Sequence, residues 1–415
     1  MGELNRETSR HIKACMVSTH PASRGGVSSY TNSLVRSLRE LGVNVIVFSD
    51  KPENEKLKQG NEGVYPVWNK CILYPFQIFK MLVANADVDI VHVQHEFFLY
   101  GGMFSSILFP VLLALIRLLG KPIVVTIHGV IPFSEQDEGF KEENELKGPL
   151  LFLKFGLIFL TKVIVLLSNA TVVHGRFFAE TLCNDYRSPS WKIHVIPHGV
   201  KKAVTILQNE AKKRLGLKNK VIILFFGYIA RYKGIETLIE AFGRVVRKHQ
   251  NWILIIGGGQ HPRLCLNSRY KEYVTKLHQM AHSLLPGKVT FTGFIPDEDL
   301  SLYFTAADVM VFPYTRAMSS SGPLALAVSY GKPIIASNIP PFKELIPFEE
   351  ALFKRRSSED LAKKLESVLS DSNLRHRMSL HFKKICEKNS WNNIGLQTFT
   401  LYQKILMHHK NFCDK

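Results

Sequence analysis

Two series of short apolar runs, each alternating with amphipathic stretches, constrain the fold of this chain more than any other feature. The first series begins at Lys13–Ser18 and ends at Ile193–Pro197, and the second extends from Val221–Phe226 to Pro333–Ala336. Such runs are typical of strands buried on both faces of a parallel sheet. Because helical stretches separate them, the pattern predicts βαβ units in two doubly wound α/β domains. A length of 415 residues agrees with two domains.

Charge and cysteine content narrow the class of partner. The chain has 53 basic and 35 acidic residues and a net charge of +18, which favours anionic partners, although solubility alone explains such a charge equally well. No RRM, helix-turn-helix or zinc pattern occurs, so we expect no nucleic acid partner.

The six cysteines form no CxxC pair, as expected in a reducing compartment. The first 17 residues lack the features of a secretory signal, so we expect a cytoplasmic protein.

Two apolar stretches raise the question of a membrane. Phe104–Leu119 is short and contains Arg117, whereas Pro149–Ser168 is long enough to span a bilayer but contains Lys154 and Lys162. We interpret both as buried helices of an α/β domain. A helix that lies on the membrane surface with its lysines toward the lipid headgroups is the alternative, and it leaves peripheral membrane contact open.

The first candidate for binding follows the first strand. Gly25 and Gly26 allow a ligand to approach the backbone, and the helix that begins there favours an anion. The sequence around them, Ser-Arg24-Gly-Gly, is not the GxGxxG fingerprint of dinucleotide-binding proteins. A plain tight turn is the simpler interpretation.

The second candidate follows the first strand of the second series. Gly227 ends that strand, and Arg231 and Lys233 precede a helix that begins near Gly234. Two cations at the mouth of a helix can neutralise a diphosphate leaving group. The alternative is a pair of solvated surface cations.

The third candidate is a serine-rich loop. Ser319, Ser320, Ser321 and Gly322 lead into a helical run and offer hydroxyl and backbone donors to a phosphate. N-capping by serine is the common structural role of such a loop. Both roles are compatible.

Motifs in a fixed order connect these candidates to a known family. The second half contains FFGYIARYKGIETLIEAF, ILIIGGG, VTFTGFIP, AADVMVFPY and GKPIIAS, and the first half contains GGVSSYTNSLVRSLRELG, VDIVHVQHEFFLYGG, VVTIHG and VIPHGV. Together they resemble glycosyltransferase family 4, whose members have the GT-B fold and retain anomeric configuration. The terminal SWNNIGLQTFTLYQKIL resembles the last helix of the family, which returns to the first domain.

The resemblance implies a domain organisation and a chemistry. We expect an N-terminal acceptor-side domain over residues 11–200, a donor-binding domain over residues 215–388 and a returning helix over residues 389–415, with a ligand cleft between two facing Rossmann-like domains. The polar stretch Gly199–Asn219 is the expected linker. The implied reaction moves a hexose from a nucleotide-sugar, of the GDP-mannose or UDP-glucose type, to a glycan or lipid-linked glycan.

The resemblance also assigns roles to residues. Arg231 and Lys233 match the basic pair on the donor diphosphate, His128 matches the histidine that contacts the transferred sugar, and Gly25 and Gly26 match the loop near the phosphate and the acceptor. We assign catalysis to His128, Arg231 and Lys233. We assign donor binding to Arg231 and Lys233 and to Gly25, Gly26, Gly227, Ser319, Ser320, Ser321 and Gly322.

Residues on and just after the VHVQH strand form a further candidate group. His95 and Glu96 could contact acceptor hydroxyls or support the cleft from behind. A metal site built from them is not expected, because the family generally needs no bound metal. We therefore expect neither a metal nor a cofactor, with the nucleotide-sugar acting as a co-substrate.

The sequence departs from the family at two carboxylates. The family usually has two glutamates eight residues apart, and Met318 and Leu326 occupy those positions here. The first usually contacts the donor sugar and the second the ribose, so the choice of donor stays open. Their loss also motivates an alternative function, a non-catalytic GT-B protein that binds a nucleotide-sugar or partners an active transferase.

Overall fold

The computed structural model describes residues 12–21, 23, 25–52, 63–204 and 206–413. Arg24 and the first eleven residues, which include most of the segment tested for a secretory signal, lie outside the described residues. The chain forms two compact units. The first comprises the chain up to Gly199 with Met318–Ser320 and the segment from Trp391, and the second comprises Val200–Ala317 and Ser321–Ser390.

A parallel sheet forms the centre of the first unit. Within the described residues it has seven strands in the order β3-β2-β1-β4-β5-β6-β7. The strands are β1 (Lys13–Ser18), β2 (Asn44–Asp50), β3 (Val64–Trp68), β4 (Ile90–His95), β5 (Ile123–Ile127), β6 (Ala170–Val173) and β7 (Ile193–Val195). The helices are α1 (Gly26–Glu40), α2 (Tyr74–Ala84), α3 (Met103–Ile107), α4 (Phe109–Leu118), α5 (Glu138–Glu143), α6 (Leu150–Leu167) and α7 (Arg176–Asn184).

Alternation along the strands gives the first sheet two cores. Ala14 and Met16 of β1 belong to a core that includes residues of α1, whereas Cys15 and Val17 belong to a second core with residues of α2, α4, α6 and α7. Successive side chains of a strand point to opposite faces. Helices therefore cover both faces of this sheet, which explains its near-continuous apolar strands.

The second unit repeats this plan. Its parallel sheet has six strands in the described residues, in the order β10-β9-β8-β11-β12-β13. The strands are β8 (Val221–Phe226), β9 (Trp252–Gly257), β10 (Val289–Gly293), β11 (Val309–Phe312), β12 (Ile334–Ser337) and β13 (Leu352–Phe353). The helices are α8 (Gln208–Arg214), α9 (Ile235–Val245), α10 (Ser268–Leu284), α11 (Asp297–Ala306), α12 (Gly322–Ser329), α13 (Pro340–Lys343), α14 (Ser358–Ser370) and α15 (Ser372–Lys388).

The last helix, α16 (Trp391–Cys413), packs in the first unit. The Ser37 hydroxyl of α1 donates to the Trp391 carbonyl at 2.8 Å, and the hydroxyl of Tyr402 lies 2.6 Å from Nδ1 of His92 in β4. Gly395 faces Ser37 so closely that a Cβ there would overlap its side chain. The absence of a side chain at this position lets α16 and α1 approach each other.

The strand order defines one binding position in each sheet. The order reverses between β1 and β4 in the first sheet and between β8 and β11 in the second. In open parallel sheets, ligands bind beyond the carboxyl ends of the strands at this switch point. The loops that follow these four strands are therefore where each unit is expected to bind its ligand.

The structure differs from the sequence expectations at three elements. β3 was not predicted, since it is an edge strand with Pro66 at its centre and the exposed Tyr65 beside it. β13 has only two residues, too few for a periodic pattern. The predicted linker contains α8, whose Lys212 forms an ion pair with Asp308 at 2.7 Å inside the second unit.

Candidate active site

Lys233 lies at the switch point of the second sheet. It follows β8 in a 3₁₀ turn, is only 5% exposed, and its ammonium lies over the rings of Tyr232 and Tyr314 at 5.9 and 5.6 Å. No carboxylate among the described residues contributes to its electrostatic environment. Burial lowers the pKa of Lys233 from 10.5 to about 7. A buried cation without a counter-ion is a ready site for an anion.

Two glycines allow the turn that presents Lys233. Gly227 has φ 135°, and a Cβ there would lie 2.5 Å from the Lys233 ammonium. Gly234 has φ 63°, and a Cβ there would overlap the carbonyl oxygen of Pro313. The Thr315 amide donates to the Tyr232 carbonyl at 2.6 Å. The turn is thereby attached to the loop after β11.

Arg231 lies elsewhere. It is exposed, and its guanidinium stacks on the ring of Tyr273 at 4.5 Å and lies 3.5 Å from the Arg269 carbonyl, both on α10. Neither of these contacts involves Lys233. The predicted basic pair therefore consists of one buried and one exposed cation. Because solvent screens the exposed charge of Arg231, it attracts an anion more weakly than the buried charge of Lys233 does.

The structure divides the predicted serine loop. The hydroxyl of Ser321 caps α12 by accepting from the Leu324 amide at 3.2 Å, and it lies 2.9 Å from the Tyr314 hydroxyl. Gly322 begins the helix with open space where a Cβ would be. Ser321 thus caps α12 while the N-terminus of this helix remains accessible at Gly322. The two roles considered for the serine loop are therefore compatible in this geometry.

The preceding residues of this loop cluster with the first unit. The Val130 amide donates to the Met318 carbonyl at 3.0 Å, and Ser319 forms an antiparallel bridge with Gly129. Ser320 belongs to the same group.

Gly25 and Gly26 open α1 at the switch point of the first sheet. Both are exposed, and nothing lies within 4 Å of a Cβ built at Gly26. The first turn of α1 contains no acidic residue, and no side chain caps it within the described residues. The helix N-terminus is consequently open to an anion.

Three histidines at the ends of neighbouring strands surround one tyrosine. His128, His174 and His198 follow β5, β6 and β7, and their rings lie 4.8, 5.0 and 5.3 Å from the ring of Tyr30. Burial lowers the pKa of all three, and their mutual repulsion as cations lowers the pKa of His128 and His174 further. The cluster is therefore neutral at neutral pH.

Polar neighbours face both nitrogens of His128. Nδ1 of His174 lies 3.0 Å from the Ile196 carbonyl, so it carries the proton, and the bare Nε2 of His174 lies 3.3 Å from Nδ1 of His128. Nε2 of His128 lies 2.8 Å from Oε1 of Gln94, whose NH₂ group donates to the Met16 sulfur at 3.1 Å. A neutral His128 has a single N–H, which donates either to His174 through Nδ1 or to Gln94 through Nε2. A sugar hydroxyl therefore has to displace one of these two neighbours.

The other polar residues of β4 differ in accessibility. His95 is buried between the rings of Phe97 and Phe109, and its Nδ1 has no hydrogen-bond partner. Glu96 follows the strand and is exposed. In this geometry His95 supports the site from the interior, and Glu96 is the one of the two that solvent reaches.

Sequence reasoning missed several residues of these two sites. His174 and His198 follow β6 and β7 as His128 follows β5, and that shared position is the pattern that could have revealed them. Arg316, a buried cation in the loop after β11, was also missed. No cluster of three or more metal-ligating side chains occurs within the described parts of the chain.

Solved structures share this two-sheet architecture. HepE of Anabaena, solved in complex with UDP and glucose, superposes with a TM-score of 0.71 at 16% identity over 95% of this chain and 100% of that one. Sucrose-phosphate synthase of Thermosynechococcus elongatus gives 0.74 at 19% identity over 96% and 100%. At these identities the likeness concerns the fold, and the fold is GT-B, with two Rossmann-like domains.

Family models and relatives agree with the fold. The model described as Glycosyltransferase Family 4 matches residues 24–203, and the model described as Glycosyl transferases group 1 matches residues 208–384. The chain belongs to the glycosyltransferases of family 4 type.

Two glycosyltransferases of Methanocaldococcus jannaschii are similar in sequence. One is 26% identical over 248 residues, which are 57% of this chain and 60% of the relative. The other is 22% identical over 405 residues, which are 92% of this chain and 95% of the relative.

Proposed function

We propose that the protein transfers a hexose from a nucleotide diphosphate sugar to an acceptor hydroxyl with retention of configuration. The buried, unpaired Lys233 at the switch point of the second sheet is the observation that carries this proposal. A diphosphate supplies the counter-ion that the described residues do not. Donors of the GDP-mannose and UDP-glucose types both fit, and the UDP and glucose bound to HepE support the second.

The leaving group is stabilised chiefly by the second unit. As the bond between the anomeric carbon and the diphosphate breaks, negative charge grows on the phosphate oxygens. The Lys233 ammonium and the amides at the start of α12, near Ser321 and Gly322, can stabilise this charge. Gly227 leaves room beside the ammonium, and Arg231 adds a weaker, solvent-screened attraction. The acceptor oxygen bonds to the anomeric carbon, and its proton passes to the departing diphosphate. Retention is taken from the family.

The first unit provides the acceptor side of the proposal. Gly25 and Gly26 offer an open helix N-terminus to the donor phosphate near the acceptor, and His128 offers a neutral imidazole to the sugar. Glu96 is accessible to an acceptor, whereas His95 supports it from the interior. Neither a metal nor a cofactor enters this scheme, and nucleic acid is not among the proposed partners.

The acceptor we propose is a glycan or a lipid-linked glycan reached from the cytoplasmic side of a membrane. The exposed apolar helix α6 supports a location at that surface. A mannosyltransferase or a glucosyltransferase acting in glycan biosynthesis fits this description.

Nucleotide binding and donor turnover test the proposal. Calorimetric titration with UDP and GDP should show binding of at least one, and incubation with UDP-glucose and GDP-mannose should release the matching nucleoside diphosphate. Met318 and Leu326 stand where the family has carboxylates, and they favour the non-catalytic alternative. Tight nucleotide binding without release from any donor, with or without added glycan acceptors, would support that alternative.

A further inference from the structure

One surface of the first unit is apolar and uncovered. Helix α6 is long and apolar enough to cross a membrane by length and composition, with a mean hydropathy of 2.4, but only 17% of it is buried. Its three phenylalanines, Phe152, Phe155 and Phe159, are 74, 60 and 70% exposed. They recur at intervals of three and four residues, so they share one face of the helix. The core helix of a soluble protein would bury this stripe, so the interpretation of Pro149–Ser168 as a buried helix was wrong.

Neighbouring helices extend the surface. Helix α2 contacts α4, and α4 contacts α6. Exposed apolar side chains occur on each of them and on α3, including Phe76, Phe104, Ile107 and Leu118. We name the outer side of α2, α3, α4 and α6 the apolar face. Contiguous apolar surface of this kind indicates a docking partner.

The charges of the apolar face all have one sign. Its four helices contain Lys80, Arg117, Lys154 and Lys162 and no acidic residue. Lys154 lies over the ring of Phe133 at 4.4 Å, so its stem follows apolar surface while its ammonium remains accessible. Basic side chains among exposed aromatic ones are typical of helices that lie in the headgroup region of anionic membranes.

A basic cavity borders the apolar face. It has a volume of about 430 Å³, lies where α4 and α6 end, and is lined by Arg117, Lys121, His408 and His409 together with Gly120, Asn169 and Ile405. Arg117 donates to the Leu167 carbonyl at 2.9 Å and Lys121 to the Ala86 carbonyl at 2.6 Å. Asp87, the nearby acid, is paired with Lys13 at 2.5 Å. The cavity thus continues the positive charge at the edge of the face.

We infer that the apolar face docks in the plane of an anionic lipid bilayer, with the phenylalanines of α6 inserted and the lysines and the basic cavity at the headgroups. A second protein surface would be expected to offer carboxylates to these cations, whereas a bilayer supplies both hydrocarbon and phosphate. The inference rests on and deepens the membrane location in the proposed function, but it does not depend on sugar transfer. It identifies which surface of the first unit meets the lipid and which charge that lipid carries.

Vesicle flotation of the full chain tests the inference. We expect flotation with vesicles of phosphatidylcholine and phosphatidylglycerol in equal amounts, and weaker flotation with phosphatidylcholine alone. The variant with Phe152→Ser, Phe155→Ser and Phe159→Ser should lose this binding, at roughly tenfold or more per side chain. Leu266→Ser is the matched control, because Leu266 is 87% exposed but belongs to the second unit, and it should float as the wild type does.

The outcomes separate lipid from other occupants. The inference is overturned if the wild-type protein does not float with the anionic vesicles. It is also overturned if the triple variant floats with them as well as the wild type does. A dimer that the triple variant breaks, without vesicle binding, would instead assign the face to a second copy. UDP and GDP affinity of the triple variant should equal that of the wild type. If the triple variant fails to fold, Phe152→Ser alone is measured. Loss of nucleotide binding in all forms would contradict the proposed transfer reaction and leave the lipid result intact.

Discussion

Replacing Lys233 by methionine separates stability from binding. Methionine keeps an unbranched side chain of similar length but removes the buried charge. Because burial lowers the pKa of Lys233 from 10.5 to about 7, and one pKa unit corresponds to about 1.4 kcal/mol, burying the charged lysine costs on the order of 5 kcal/mol below pH 7. We therefore expect Lys233→Met to raise the free energy of unfolding of the ligand-free protein.

The sign of the pH dependence follows from proton counting. Between pH 7 and pH 10.5 the unfolded chain holds the Lys233 proton and the folded chain does not. The contribution of Lys233 to the free energy of unfolding of the wild type should therefore rise with pH over that window, by about 1.4 kcal/mol per pH unit. The advantage of Lys233→Met should be largest below pH 7 and shrink above it. Denaturant unfolding at several pH values measures this.

Binding should change in the opposite direction. A diphosphate needs the charged ammonium, so Lys233→Met should weaken UDP or GDP binding by about 1.5–3 kcal/mol, which is tenfold or more. For the wild type, affinity should fall as the pH rises above about 7, since the lysine must then gain a proton. Lys271→Met, at an exposed position on α10, is the control and should change neither property. A variant that binds nucleotide normally and shows no pH-dependent gain in stability would refute this account of Lys233.

Three further predictions concern the remaining polar groups. Arg231→Ala should weaken nucleotide binding by less than Lys233→Met does, because the guanidinium is exposed to solvent, and calorimetry of both variants would show the reverse order if this is wrong. His128→Ala should lower turnover far more than nucleotide affinity, because the proposed contact is with the sugar, and near-normal turnover would remove His128 from catalysis. The pKa values of His92 and His174 are lowered to about 3, so stability should fall as the pH drops below about 6.5, by roughly 2 kcal/mol per histidine down to pH 5. A flat stability profile over that range would contradict buried neutral rings.

The sequence predicted the architecture well because the physical pattern is strong. Parallel strands covered on both faces must be apolar over their whole length, so β1 and β8 were found at their observed bounds. The edge strand β3 and the two-residue β13 lack that pattern. Helix α8 is short and rich in charge, and its attachment through the Lys212–Asp308 pair is a tertiary contact that no local pattern shows.

The candidate sites were predicted only in part. The position after a strand indicated Lys233, because topology places such residues at a sheet edge, and the family resemblance indicated His128. The sequence could not show that Lys233 is buried and Arg231 exposed, since both follow the same strand and differ only in side-chain direction. It also could not show that His95 points into an apolar core while His128 joins His174. These outcomes depend on packing between distant parts of the chain.

Release of nucleoside diphosphate from a nucleotide-sugar tests the central claim most directly. Purified wild-type protein and Lys233→Met are incubated near neutral pH with UDP-glucose or GDP-mannose and with candidate glycan acceptors, and free UDP or GDP is measured. The account predicts release from at least one donor by the wild type, and a loss of about tenfold or more in Lys233→Met. Release that is equally fast in the two proteins, or nucleotide binding with no release from any donor, would contradict it.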